Sequence, residues 1–165
     1  MAGSSAERAL AEIVAAARGC RVCEEHLPLG PRPVLRASTA AKLAVFGQAP
    51  GNLVHQSGRP FTDPSGVRLR DWMGVTDEEF YDEKKIAIIP MGFCFPGYDA
   101  KGGALPPRKE CAPLWRDRLM AAMPNLETII LVGGYSQKWH LGDDAKKTLT
   151  ETVENWRDYA PRYFA

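Results

Sequence analysis

The sequence has no apolar run that approaches the roughly 18 residues of a membrane-spanning helix. Near its N-terminus, Glu7 and Glu12 stand among alanines, without the apolar stretch of a secretory signal. An excess of charge of either sign is also missing, since 21 basic and 20 acidic residues leave a formal net charge of +1. We therefore expect an intracellular protein with no membrane partner, in which any nucleic-acid site depends on local basic patches.

Internal repeats and a clear second domain are missing as well. The length of 165 residues fits one domain with its own core, so residues 1–165 are expected to form a single domain and a monomer. Apolar residues make up 45% of the chain and charged residues 25%, as is typical of a globular domain.

What is present is an alternation of apolar runs and helical patterns. Buried strands are predicted by three short apolar runs, at residues 42–46, 86–91 and 128–132. Helices are predicted around them, at residues 4–18, 65–72 (with Ser65 as its cap), 110–123, 135–141 and 145–158. Apolar strands separated by helices favour an α/β fold with a parallel sheet covered on both faces. Ligands of such folds bind beyond the carboxyl ends of the strands.

The sequence has only four cysteines, but their spacing is compatible with a shared site. Cys20 and Cys23 form a C-x-x-C just after the first predicted helix, Cys94 follows the second predicted strand, and Cys111 opens the next helix. In an intracellular protein we do not expect structural disulfides. Zinc knuckles usually supply two close pairs, whereas iron–sulfur clusters accept more varied spacings. The spacing leaves open a zinc site, an iron–sulfur cluster, or a redox pair with two core cysteines.

A turn at residues 47–51, reading G-Q-A-P-G, follows the first predicted strand. It is not a P-loop, because no Gly-Lys-Ser/Thr follows, and it is not a G-x-G-x-x-G. Its two glycines let the backbone approach a flat or anionic ligand closely, and Pro50 stiffens it. Taken alone, the turn favours an ordinary strand-to-helix connection without a ligand.

The longer pattern, in which G-R-P-F at residues 58–61 follows this turn, resembles the first motif of the uracil-DNA glycosylase superfamily. It is most similar to the iron–sulfur family 4 enzymes, whose turn reads G-E-A-P-G before G-R-P-F, and family 5 is also similar. The later stretch T-I-I-L-V-G-G-Y-S-Q resembles that family's later strand and glycine turn. The resemblance covers about residues 8–142. It implies a three-layer α/β/α fold with a central, mostly parallel, four-stranded sheet.

The same resemblance implies a [4Fe–4S] cluster, because Cys20, Cys23, Cys94 and Cys111 occupy the places of the family's cysteines. Zinc or no metal is the alternative. The implied activity is hydrolysis of the N-glycosidic bond of a flipped, deaminated base in DNA, uracil first, for base-excision repair. The alternative is a catalytically weak DNA-binding relative in which the cluster is structural.

A glycosylase site needs a stacking face, donors for the carbonyl oxygens of the base and a group that places a water. The resemblance makes Phe61 the stacking aromatic. The backbone of the turn would contact base or sugar, and its members besides Gln48 are Gly47, Ala49, Pro50 and Gly51. Gln48 stands where family 4 has an acid, and an amide can orient a water but cannot act as a base.

Asp63 is the candidate water-orienting base, since family 5 enzymes carry an Asp just after a similar stretch. Its surroundings, T-D-P-S-G, are equally typical of a loop cap. His55 would contact a phosphate or the leaving base, or else be a solvated loop residue.

Basic residues near the expected mouth are candidates for DNA contacts. Those singled out are Arg59, Lys101, Arg108 and Lys109, with Arg68 and Arg70 close in sequence. Lysines and arginines of this kind bind phosphates, although each taken singly is also compatible with ordinary solvated charge.

Two departures from the family pattern matter. Pro90 stands where the family has its uracil-reading Asn, so another deaminated base is a possible substrate. The family's late His-Pro-Ser is missing, and the histidines present are His26, His55 and His140. The sequence ends about where a fourth strand would lead into that motif, so either the sequence is shortened or the protein lacks the motif. A sheet without that strand is expected to leave an exposed edge.

Overall fold

The computed structural model describes residues 4–160. Its sheet has three strands, all parallel, in the order β2-β1-β3. Their bounds are β1 Leu43–Phe46, β2 Ile86–Ile88 and β3 Thr128–Leu131. The predicted parallel α/β sheet is therefore confirmed for three strands. A fourth strand is not among residues 4–160.

The second strand is shorter than predicted because Pro90 has no N–H for a ladder. The chain nevertheless keeps the direction of β2 beyond Ile88. The N–H groups of Ile89 and Met91 donate to the carbonyls of Val45 and Gly47, at 3.0 and 2.9 Å. This extension links the end of β2 to the turn after β1.

Seven helices occur in the described part of the chain, and three single turns of 3₁₀-helix accompany them. The helices are α1 Ser5–Arg18, α2 Asn52–Ser57, α3 Pro64–Met73, α4 Asp77–Phe80, α5 Cys111–Ala121, α6 Gly134–Leu141 and α7 Leu149–Glu154. The 3₁₀ turns are Glu24–His26, Gly142–Asp144 and Trp156–Asp158. The two helices that prediction missed, α2 and α4, are too short to show a period.

The start of α3 differs from the prediction. Asp63, not Ser65, is the N-cap, and its carboxylate accepts from the N–H of Gly66 at 3.1 Å. Pro64 then takes the first helical position, where its missing N–H has no partner to lose.

Alternate residues of β1 enter two different cores. Ala44 and Phe46 pack in a cluster with Leu10 of α1 and Leu119 of α5. Val45, which points to the other face, packs in a separate cluster with residues of α3 and α4. Since side chains of a strand alternate between faces, helices cover both faces of the sheet.

The two edges of the sheet differ in their backbone pairing. On the outer side of β2, Arg36 and Ile88 exchange two backbone hydrogen bonds of 2.8 Å. On the outer side of β3, no strand pairs within residues 4–160. None of the helices in these residues is both long and apolar enough to cross a membrane.

Candidate functional site

A cavity of about 230 Å³ lies at the carboxyl ends of the three strands, and we call it the base cavity. It brings together the turn at residues 47–51, Phe61 and Asp63. Pro90, which stands in the place of the family's uracil-reading Asn, also lines it. Residues that sequence reasoning did not assign to the site complete the lining: Val34, Val54, Pro60, Ser65, Ile88, Val132 and Gly133. The predicted residues His55, Arg59, Lys101, Arg108 and Lys109 are not part of this lining.

The turn is fixed by its carbonyl groups. The carbonyl of Gly47 accepts from Met91, and that of Gln48 accepts from Gly92 at 2.8 Å. The N–H groups of Gln48, Ala49 and Gly51 donate to no other residue within 4–160. Backbone N–H groups at a cavity wall are strong donors, so this turn can bind a carbonyl oxygen or an anion.

Phe61 forms a flat wall of the cavity. Its φ of 56° makes it the one non-glycine residue with positive φ in the described part of the chain. Its carbonyl accepts from Arg70 Nη1 at 2.9 Å and from the Tyr81 hydroxyl at 3.2 Å, which holds this unusual backbone. Strained residues of this kind cluster at functional sites, where the surroundings over-determine them.

Two glycines make room for Phe61. A Cβ on Gly66 would lie 1.9 Å from the Phe61 carbonyl oxygen, so no side chain fits at position 66. A Cβ on Gly47 would lie 3.1 Å from the tip of the Phe61 ring, which therefore rests against the end of β1. The ring also packs edge-on against Phe80, with centroids 5.9 Å apart.

Gln48 is exposed at the mouth of the cavity. Its side chain lies over Gly133, where an added Cβ would be 2.4 Å from Gln48 Nε2. Gly133 also has a φ of 92°, which residues other than glycine rarely adopt. The Gln48 amide has no hydrogen-bond partner within residues 4–160, so it can bind a ligand or a water.

The two oxygens of Asp63 have different surroundings. Oδ1 accepts from the N–H of Gly66 and from the Ser65 hydroxyl, at 3.1 and 2.6 Å. Oδ2 is the nearest atom that a Cβ on Gly51 would meet, at 3.9 Å, so it faces the turn. One oxygen serves as the helix cap and the other faces the cavity. The two interpretations of this residue are therefore compatible.

A buried arginine, which the sequence analysis missed, supports the wall at Pro90. Arg116 is 0% exposed, and its Nη1 donates to the carbonyls of Pro90 and Ile89 at 2.9 and 3.2 Å. Burial lowers the pKa of its guanidinium to about 10. The carbonyl of Pro90 is thus already bound on the α5 side, and this residue gives the cavity apolar surface. The sequence signal that could have identified Arg116 is its position three residues before Leu119, on the buried face of α5.

His140 completes this buried polar group. Its Nε2 lies 3.1 Å from Nε and 3.0 Å from Nη2 of Arg116, and its ring stacks on Phe46 with centroids 4.9 Å apart. Burial, followed by the charge of Arg116, lowers the pKa of His140 to about 4. The ring is therefore neutral at physiological pH and accepts from the guanidinium.

His55 lies on α2 with its ring turned toward Phe95, at a centroid distance of 6.2 Å. Its carbonyl accepts from Arg32 Nη1 at 2.5 Å. The ring atom Nδ1 is buried and has no hydrogen-bond partner within residues 4–160.

The predicted basic residues differ in their contacts. Arg59 lies over the Tyr81 ring, with its guanidinium carbon 3.5 Å from the centroid, and Arg108 forms an ion pair with Glu110 at 2.8 Å. Neither Lys101 nor Lys109 forms an ion pair within residues 4–160, and both are exposed.

The four cysteines line a second cavity, of about 30 Å³, which we call the cysteine cavity. None of them forms a disulfide. Burial raises the pKa of Cys94 to about 11 and that of Cys111 to about 12. Cys23 Sγ lies 3.6 Å from a carboxylate oxygen of Glu110, and its pKa is also raised, mainly by burial. Without a metal, these three thiols are protonated at neutral pH.

The geometry of the cysteine cavity suits a cluster better than a single metal ion. Within residues 4–160, no three Cys, His, Asp or Glu side chains are arranged to bind one metal ion. A [4Fe–4S] cluster is less demanding, because each thiolate binds a different iron and the sulfurs need not converge on one point. Apolar walls from Leu27, Phe93 and Trp115 surround the thiols, as suits a cluster shielded from water.

The chain matches a protein-family model over most of its length. The family model described as the uracil DNA glycosylase superfamily matches residues 36–164, which is most of the chain. The matched range includes every residue that lines the base cavity except Val34. It also contains Cys94 and Cys111, whereas Cys20 and Cys23 precede it.

Proposed function

The chain belongs to the uracil DNA glycosylase superfamily, whose members act on DNA, and on that premise we propose that it is a DNA glycosylase. Its proposed reaction is hydrolysis of the N-glycosidic bond of a deaminated base, uracil first, flipped out of DNA. The observation that carries this proposal is the base cavity. There an aromatic wall, unpaired backbone donors and a carboxylate surround one space at the strand ends.

The flipped base is proposed to stack on Phe61. A cavity of about 230 Å³ is smaller than the roughly 300–1,000 Å³ of pockets for drug-sized ligands, so it suits a single base. The N–H groups of Gln48, Ala49 and Gly51 would donate to the carbonyl oxygens of that base. Such donors stabilise the negative charge that the base acquires as it leaves, which is where electrostatic stabilisation is most effective.

Asp63 and Gln48 are proposed to place the attacking water. The water oxygen bonds to the anomeric carbon of the sugar as the bond from that carbon to the base nitrogen breaks, and the bonding electrons leave with the base. Oδ2 of Asp63 accepts the proton that the water loses, and the Gln48 amide fixes its orientation. The leaving base then takes a proton from solvent.

The cysteine cavity is proposed to hold a [4Fe–4S] cluster bound by Cys20, Cys23, Cys94 and Cys111. When bound, the cluster serves as a structural cross-link between the end of α1, the chain after β2 and the start of α5. Arg116 supports this assignment, since it is fully buried with no carboxylate partner within residues 4–160. Thiolates at Cys111, five residues earlier on the same helix, and at the other ligands would supply compensating negative charge.

The cluster assignment is tested by the colour and composition of the purified protein. We expect absorbance near 400 nm that bleaches on reduction, and about four irons per chain. Zinc without iron would replace this assignment with a zinc site, and leave the glycosylase proposal intact.

DNA phosphates are proposed to contact the basic residues outside the cavity. Lys101 and Lys109 are the better placed of the four, because no acidic partner within residues 4–160 neutralises them. Arg108 would have to share its guanidinium with Glu110, and Arg59 would have to bind while stacked on Tyr81.

The activity is tested with oligonucleotides that carry one uracil, hypoxanthine or xanthine, in single- and double-stranded form. Excision followed by alkali should cut the strand at the modified base. A mock purification from the same host controls for contaminating glycosylases. Because Pro90 presents no polar side chain to the base, the relative rates on the three bases report the selectivity of the pocket.

A second candidate function is a DNA-binding relative that cuts weakly. Pro90 and Gln48 favour it, since each replaces a polar or acidic side chain of the family 4 pattern. If the metal-loaded full chain binds DNA but excises none of the three bases, this second function holds and the glycosylase proposal fails.

A further inference from the structure

A groove of about 510 Å³ runs beside α6, outside the base cavity, and we call it the α6 groove. Of its lining residues, Arg108 and Lys109 are already proposed as phosphate contacts, and the others have no assigned role. Its lining combines aromatic, cationic and rigid proline side chains: Met91, Pro106, Pro107, Arg108, Lys109, Ala112, Tyr135, Lys138 and Trp139.

Two aromatic side chains form one wall of the α6 groove. Tyr135 and Trp139 are four residues apart on α6, so they lie on the same face of the helix, and they are 45% and 43% exposed. Within residues 4–160, neither ring stacks on another ring or on a guanidinium. By contrast Trp156, 42% exposed, has the guanidinium carbon of Arg157 at 4.5 Å from its ring centroid. The two rings of the α6 groove therefore present open faces to a ligand.

Positive charge accompanies these rings. Lys109, just before α5, and Lys138, on α6, are exposed and form no ion pair within residues 4–160. Arg108 adds a third cation, which is paired with Glu110. Among the described residues, no acidic side chain is part of the lining. The groove thus complements an anionic ligand that carries flat rings.

The α6 groove begins where the base cavity ends. Met91 lines the groove, and its N–H donates to Gly47 in the wall of the cavity. On the other side, Gly133 lines the cavity and Tyr135, two residues later, lines the groove. A polymer with one unit in the cavity can therefore continue into the groove.

We propose that the α6 groove binds a single-stranded segment of DNA adjacent to the flipped nucleotide. Bases of this segment stack on Trp139 and Tyr135, and its phosphates contact Lys109 and Lys138. A duplex does not fit this arrangement, because its bases are already stacked on each other, whereas an unpaired strand offers a ring face and a phosphate at each nucleotide. The inference rests on the proposed function, since it identifies which part of the DNA binds beside the base cavity.

The test measures the affinity of the metal-loaded protein for undamaged DNA. The probe is a fluorescently labelled oligothymidylate of about 12 nucleotides, a length within the site sizes of single-strand binding folds. Binding is followed by fluorescence anisotropy. Trp139→Ala is expected to weaken binding by at least about fivefold, since stacking of one base is worth about 1–3 kcal/mol. Trp139→Phe, which keeps a ring face, should recover most of that loss. Trp156→Ala is the matched control, because Trp156 has a similar exposure and lines a different cavity, beside β3, which has no cationic lining among the described residues; binding should not change.

The cationic part of the groove is tested with Lys138→Ala. Its affinity should fall, and the slope of log affinity against log salt should become shallower by about 0.7, as for one lost contact with a single strand. An unchanged affinity in Trp139→Ala, with an unchanged thermal midpoint, would overturn the inference and leave the groove for a different ligand, such as an acidic peptide.

Failure of this inference and failure of the proposed function are distinguishable. Binding of undamaged DNA needs no excision. If the protein excises no base but binds more weakly in Trp139→Ala, the groove proposal holds and the glycosylase proposal fails. If it excises uracil but binds oligothymidylate equally well with and without Trp139, the glycosylase proposal holds and the groove proposal fails.

Discussion

The base cavity and the cysteine cavity are held open by different means. The first is framed by backbone: the carbonyls of Gly47 and Gln48 are tied to the chain after β2, and glycines leave space for Phe61. The second is lined by thiols among apolar side chains, with Cys23 in contact with the carboxylate of Glu110. The first cavity is therefore formed without a ligand, whereas we propose that the second depends on a cluster bound by its cysteines.

The largest effect is expected from the cysteine cavity. Cys94→Ser should abolish absorbance near 400 nm and lower the free energy of unfolding by at least about 5 kcal/mol, since structural metal sites contribute about 10 kcal/mol or more of binding energy to folding. Thermal unfolding of metal-loaded wild type and variant measures the difference. Equal thermal midpoints for the two proteins would mean that the region around the cysteine cavity is stable without a bound cluster.

The base cavity should respond in the opposite way, with activity lost and stability kept. Asp63→Asn removes the proposed base but keeps an oxygen to cap α3. We expect excision to slow by about 100- to 10,000-fold, the usual contribution of a general base, with an unchanged thermal midpoint. Single-turnover rates measure the first and calorimetry the second.

The matched variant for this experiment is Asp63→Ala, which loses both roles of Asp63. It should be as slow as Asp63→Asn and also less stable by about 1 kcal/mol, the usual value of an N-cap. Wild-type rates in Asp63→Asn would exclude Asp63 as the base.

Arg116 binds the carbonyl of Pro90 and shares α5 with Cys111, and it forms with His140 a buried pair that predicts a pH dependence. His140 has a pKa near 4 in the folded protein, below its ordinary value of 6.5. The unfolded chain therefore takes up a proton at a pH where the folded chain does not. The contribution of His140 to stability is constant above about pH 6.5 and falls as the pH drops from there to about 4, by at most about 3 kcal/mol over this window.

The variant His140→Gln isolates this contribution, because an amide oxygen can still accept from Arg116 but does not titrate. Its free energy of unfolding should fall less steeply than that of wild type between about pH 6.5 and 4. Parallel curves for the two proteins would show that His140 does not cause the acid dependence.

Much of the fold was predictable because its signals are local. The three strands follow from apolar runs, and α1 follows from Ser4 and its period. The turn at residues 47–51 is visible locally from its two glycines, whereas its role and that of Phe61 come from the resemblance to the family. That these residues act on a base stays a prediction.

The remaining features are contacts between residues far apart in sequence. Arg116 binds the carbonyls of Ile89 and Pro90. The helical pattern of α5 indicates that Arg116 is buried, but it does not indicate which oxygens accept its hydrogen bonds. In the same way, T-D-P-S-G identifies a cap, whereas the direction of the second Asp63 oxygen depends on how α3 packs beside Gly51.

The smallest effects should come from the contact between Gly47 and Phe61, and they test whether the base cavity is fixed by shape. Gly47→Ala places a methyl 3.1 Å from the tip of the Phe61 ring, so the ring must shift and excision should slow by about 3- to 10-fold. Phe61→Leu removes that tip together with the stacking face, and should weaken binding of the base by about 5- to 100-fold.

The double variant decides the cause. In the Phe61→Leu background the added methyl meets no ring, so Gly47→Ala should then slow excision no further, and the two effects should not add. Fully additive effects would mean that Gly47 acts through its own backbone. In that case the cavity would be set by the turn, and Phe61 would be a wall that adapts to it.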